Sequence, residues 1–118
     1  MNFQQAIASG FRNYVTFSGR SSRSEYWYWV LFTIIGAVAT GVLDVAMFSE
    51  SAVSPINTIF GLVTFLPGLA VACRRLHDID RTGWWLLISL TIIGIVVLIV
   101  WFCQKSDAGP NRYGLAPA

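Results

Sequence analysis

Two uncharged runs of 23 residues each, Ser51–Cys73 and Thr82–Gln104, flank the octet Arg74–Arg81, which holds five of the fourteen charged side chains and the only histidine. A helix needs roughly 20 apolar residues to cross about 30 Å of hydrocarbon, so each run is long enough to cross. A third uncharged run, the 18 residues Tyr26–Leu43, lies at the lower edge of that length and can continue past Asp44 to Phe48. The chain is 55% hydrophobic and 12% charged. Soluble domains average about 25% charged, and a chain this short cannot hide so much apolar surface from water. The pattern predicts an all-α membrane protein, one domain over 1–118, with three transmembrane helices.

Phe3, Ile7, Phe11, Tyr14 and Val15 recur at helical spacing among polar residues, which predicts a short interfacial helix over about 3–16. No strong cap precedes it and Gly10 interrupts it, so a frayed terminus is the plain alternative. Ser22-Arg23-Ser24-Glu25 has the form of a capping box and opens the first span, about 25–47, with Tyr26, Trp27, Tyr28 and Trp29 at headgroup level. Ala37-Val38-Ala39 has the form of a signal-peptide cleavage site, but the basic residues before the run lie far from the start and two spans would remain. The run is read as a permanent span. Gly36 with Thr40, Ala37 with Gly41, and Gly68 with Ala72 are small pairs that let helices approach.

The second span, about 52–73, carries Pro55 near its start and Pro67 inside, where a kink is expected. The third, about 83–103, is bracketed by Trp84 and Trp85 at one end and Trp101 at the other. About 16 residues at 1.5 Å each would hold those rings roughly 25 Å apart, at opposite interfaces. Gly109-Pro110, Gly114 and Pro117 then leave 104–118 as a tail outside the hydrocarbon.

Three lysines and arginines precede the first span, none separates the first two, three lie between the second and third, and two follow. Three crossings put six basic residues on one side and two on the other. The positive-inside rule then makes the N-terminus and the 74–81 loop cytoplasmic and the C-terminus periplasmic. A net charge of +2 is too small to argue for nucleic acid. The basic residues sit beside hydrophobic segments, where anionic headgroups lie, so membrane lipids are the expected partners, with a homo-oligomer or a partner membrane protein beside them.

The anion- or partner-binding candidates are Arg20, Arg23, Glu25, Arg74, Arg75, His77, Asp78 and Arg81, which share the cytoplasmic face with Asp80. Five arginines against three carboxylates leave a surplus that could hold a phosphate; the bland reading is that these charges set topology and pair with each other. No catalytic residue is assigned. His77 and Asp78 are adjacent and point apart, and no Ser or Cys nucleophile is evidently partnered with the imidazole. Ser18, Ser21, Ser22 and Ser24 read as turn and cap residues. One His and two Asp in one loop lack the spacing of a zinc site, so no metal or cofactor is expected. Asp44 and Glu50 flank the outer loop, and without a midspan ionisable residue a proton relay within one chain is disfavoured. Cys73 and Cys103 fall on opposite faces, roughly 30 Å apart, too far for a disulfide. Cys73 reads as a small buried hydrophobe.

Three segments resemble, in order, the motifs of the family named domain of unknown function 805, small bacterial inner-membrane proteins of the YhaH type. They are Phe17-Ser18-Gly19-Arg20-Ser21-Ser22-Arg23-Ser24-Glu25-Tyr26-Trp27; Arg74-Arg75-Leu76-His77-Asp78 with Gly83-Trp84-Trp85; and Asn111-Arg112-Tyr113-Gly114. The resemblance runs from about Phe17 to Pro117, with Thr82 where members often have serine. It implies a multi-pass bacterial inner-membrane protein, adds Asn111, Arg112, Tyr113 and Gly114 as a tail motif, and implies no activity. The function expected is non-enzymatic: a cytoplasmic Arg/His/Asp cluster engaging anionic lipid headgroups or a partner membrane protein. Its alternatives are a subunit of an oligomeric small-solute transporter and an enzyme acting on lipid or phosphate esters.

Overall fold

Asn2 supplies the cap that the sequence pattern hid. Its side chain accepts from Gln5 N at 2.8 Å and its N–H donates to Gln5 Oε1 at 3.0 Å, a capping box built from Asn and Gln. Helix α1, Phe3–Arg12, therefore forms, but it ends short of the expected residue 16. The computed structural model describes residues 2–48, 54–107 and 109–114. Glu50, the first two residues of the expected second span and the last four of the tail lie outside them. Gly10, read as an interruption, is where α1 meets the next helix: the Trp29 indole occupies the space a Cβ would need. Phe11 packs edge-on against Trp29 and Phe32, with centroids 5.2 and 5.8 Å away.

Helix α2, Arg23–Met47, starts where the capping pattern placed it, with Ser22 Oγ accepting from Glu25 N at 3.2 Å. It pairs antiparallel with α3, Pro55–Asp78. Both are long and apolar enough to cross a membrane. Ser54 makes no side-chain cap for α3; Asp44 of α2 does it instead, accepting from Ile56 N at 2.9 Å and Asn57 N at 2.8 Å. A buried carboxylate at a helix N-terminus answers both its free N–H groups and its positive dipole end. Gly36 gives its space to the Phe60 ring, while Gly41 has nothing near it, so of the glycines in the two small pairs on α2 only Gly36 makes a close approach to α3.

Pro67 lies inside α3 and has no N–H to give the carbonyl four residues back, that of Val63. The Tyr14 hydroxyl donates to it instead, at 2.7 Å. Freed backbone groups at membrane depth persist when a neighbour answers them, and here the neighbour comes from the segment after α1.

The expected third span, 83–103, is not one helix. Gly83–Leu90 is a 3-10 helix and Ile92–Phe102 is helix α4, joined at Thr91, whose backbone is extended and whose Oγ1 accepts from Gly94 N at 2.9 Å. The two arms fold back on each other, bringing the Trp85 and Trp101 rings to 5.4 Å in an edge-to-face contact. A straight helix would hold them roughly 25 Å apart. Eight residues at about 2.0 Å and eleven at about 1.5 Å make both arms roughly 16 Å long, about half the 30 Å of hydrocarbon. The tip is apolar and bare, with Leu90 and Ile92 85% and 84% exposed. The described tail, 104–107 and 109–114, therefore returns to the end where α3 stops, beside the Arg74–Arg81 segment that the sequence reading places across the membrane from it. The separation argued for Cys73 and Cys103 fails with it: both thiols are free, yet both belong to this same end.

Candidate functional site

The end of α3 runs Arg74-Arg75-Leu76-His77-Asp78, and at about 100° per residue these side chains fan out into separate surroundings. Asp78 is fully buried. Its Oδ1 pairs with Arg20 at 3.0 Å and its Oδ2 with Arg75 at 2.8 Å, and the Ser106 hydroxyl also donates to Oδ2. A buried ion pair is tolerable only when the remaining donors find acceptors. Arg20 gives its others to four carbonyls, those of Asp78 (3.2 Å), Asp107 (2.8 Å), Gly109 (2.8 Å) and Gly114 (3.3 Å). The two glycines adopt positive φ, 72° and 126°, which glycine does without steric penalty. Arg75 donates to the Phe102 carbonyl at 3.3 and 3.2 Å and to that of Gln104. Trp27 Nε1 donates to Phe102 O at 2.9 Å and Arg23 to Cys103 O at 3.1 Å. The last carbonyls of α4, which have no partners in their own helix, are thus answered by cations and an indole.

The tail closes over this knot. Asn111 Nδ2 donates to the His77 carbonyl at 3.0 Å, and Arg112 reaches Asp80 at 3.0 Å in an exposed pair. The Tyr113 ring stacks on His77, centroids 3.9 Å apart and planes 1° from parallel. His77 Nδ1 lies 2.9 Å from the Gly19 carbonyl. Its other nitrogen, Nε2, lies 3.6 Å from the Cys73 sulfur. The sequence left the imidazole without an evident Ser or Cys partner, and in the fold it is a cysteine that lies beside it. Cys73 is four residues before His77, one helical turn away, and that spacing was the signal.

Glu25 is held apart from this group. It accepts from Arg74 at 3.3 Å and from the Ser9 hydroxyl at 2.6 Å, and both charged side chains are at most 5% exposed. This diverts Glu25 from closing its capping box. Arg81 lies over the Trp101 ring, 4.0 Å from its centroid. The eight candidates thus form no single open cationic patch: Arg20, Arg75 and Asp78 make one buried knot, Arg74 and Glu25 another. His77 faces Cys73, and Arg81 covers an indole. Arg23 alone of the eight is exposed. With Ser24, Trp27, Tyr28, Leu31 and Cys103 it lines an open groove of about 690 Å³ beside α2. Ser9, Trp27, Ser106 and Asp107 were missed because their partners come from elements the sequence left apart. Among the described residues no group of three His, Cys, Asp or Glu could hold a metal ion.

The family model described as "Protein of unknown function (DUF805)" matches residues 14–115, a range that contains all three motifs. Inner membrane protein YhaI of Escherichia coli (strain K12) is 45% identical over 115 residues, covering 96% of this chain and 95% of that protein. Inner membrane protein YhaH of the same strain is 43% identical over 109 residues, covering 90% of each. No solved structure matches the chain.

Proposed function

This chain belongs to the DUF805 family of proteins of unknown function, and on that premise we propose that it is a multi-pass protein of the bacterial inner membrane that binds an anionic phospholipid headgroup at Arg23. Two helices cross, α2 and α3, and the hairpin of the 3-10 helix and α4 enters from the polar end and returns. With that topology all eight lysines and arginines lie either up to Arg23, the first residue of α2, or from Arg74 onward, and none lies between α2 and α3. Eight against none is a stronger bias than the six against two of a three-span chain. It makes the N-terminus, the Arg74–Arg81 segment and the C-terminal tail all cytoplasmic.

The observation that carries the headgroup reading is the exposure of Arg23 beside an aromatic groove, while Arg20, Arg74 and Arg75 are buried and engaged. Its guanidinium has one protein acceptor, Cys103 O, and keeps further donors for a phosphate. Trp27 and Tyr28 suit the headgroup level and Leu31, deeper along α2, the acyl chains. A basic residue at an anionic surface contributes about 1 kcal/mol, so Arg23→Gln is expected to lower copurifying phosphatidylglycerol relative to phosphatidylethanolamine about fivefold. Lipid extraction and mass spectrometry of the purified protein check it, and an unchanged ratio refutes the site.

A further inference from the structure

We propose that Cys73 is a nucleophile that accepts an acyl group from a long-chain acyl thioester, with His77 as its base. The Gly19 carbonyl can only accept, so the 2.9 Å contact fixes the proton on His77 Nδ1 and leaves the Nε2 lone pair facing Cys73 Sγ at 3.6 Å. Tyr113, stacked flat on the imidazole, keeps the ring from swinging away. The competing acceptor for the thiol, Phe17 O, is farther, at 3.8 Å. Gly83 completes the arrangement, since a Cβ there would occupy the place of the sulfur.

The pair opens on a pocket of about 490 Å³, distinct from the Arg23 groove, whose other walls include Phe17, Leu69, Trp84 and Leu86. A thiol and an imidazole set among apolar walls fit a molecule with a reactive carbonyl and a hydrocarbon chain. Cysteines at the membrane boundary are where reversible S-acylation occurs. In the step, Nε2 takes the thiol proton and the thiolate attacks the thioester carbonyl carbon. The new S–C bond forms as the donor's C–S bond breaks, and the donor leaves as a thiol carrying the proton from His77. No electron is gained or lost. The product is a Cys73 thioester whose chain lies along Trp84 and Leu86, anchoring the hairpin's first arm.

The test uses the full chain in phosphatidylethanolamine/phosphatidylglycerol nanodiscs, incubated with palmitoyl-coenzyme A and followed by intact mass and release with neutral hydroxylamine. Cys103→Ser, which keeps only Cys73, is expected to acylate at least tenfold faster than Cys73→Ser, which keeps only the exposed Cys103. Adding His77→Gln to Cys103→Ser should slow acylation on the order of a hundredfold, the usual contribution of a positioned base. If that variant does not fold by gel filtration, His77→Asn, which keeps an N–H for Gly19, replaces it. Equal rates at the two cysteines, no acylation at Cys73, or an unchanged rate without the imidazole overturns the proposal.

Discussion

Tyr14 shows how little of a side chain's work is visible in its own segment. Its ring belongs to an apolar pattern that the sequence assigns to an interfacial helix, yet its hydroxyl answers the Val63 carbonyl that Pro67 leaves without a partner. Tyr14→Phe is expected to destabilise by about 0.6–1.7 kcal/mol, the range of hydrogen bonds within membranes. Combined with Pro67→Ala, which restores the N–H, the same change should be nearly neutral. Unfolding in mixed micelles, as a double-mutant cycle, measures both. Asp78→Asn is more severe, because it leaves Arg20 and Arg75 buried against a neutral group. A loss of about 3–5 kcal/mol is expected, with the tail released to protease before the helices unfold. The sequence named Arg20, Arg75 and Asp78 as neighbours, and they are. It could not show that they face inward, because burial here depends on Ser106, Asp107 and Gly109, residues of a tail assigned to the other side of the membrane.

At the level of elements, the start of α2 was legible from Ser22, where local chemistry decides, while α3 starts at Pro55 and runs on to Asp78, past the expected residue 73. The run 82–104 was not legible. Hydropathy says that a segment leaves water, and a straight span and a returning hairpin leave water equally well. The local signal is Thr91 with Gly94: the hydroxyl caps α4, and the glycine lies so close to the Ile88 carbonyl that any side chain would collide with it. Gly94→Leu is therefore expected to open the hairpin and separate Trp85 from Trp101. Cysteines at those two positions, in a chain lacking Cys73 and Cys103, should be bridged by a short bifunctional maleimide in the parent and not in the Gly94 variant. Efficient cross-linking in both would show that the turn does not depend on the glycine.

The whole molecule pairs two helices long and apolar enough to cross a membrane, with one polar end that carries most of its basic residues, its buried ion pairs and both ends of the hairpin. Its long axis, 52 Å, exceeds the about 40–45 Å of a bilayer with its headgroups. The membrane class and the family motifs were legible because composition and short patterns carry them. The fold of the run 82–104 was not, because it turned on one reversal in an uncharged stretch. On that reversal hangs the side of the C-terminus, and with it the meaning of the Asn111–Gly114 motif as the lid of the knot. Single cysteines at Ser54, Asp80 and Lys105, in a chain lacking Cys73 and Cys103, decide it with a maleimide that cannot cross the membrane. On intact spheroplasts the Ser54→Cys chain should label while Asp80→Cys and Lys105→Cys stay unlabelled, and in inverted vesicles the pattern should reverse. Labelling of Lys105→Cys from outside, together with Ser54→Cys, would restore three spans and contradict the returning hairpin.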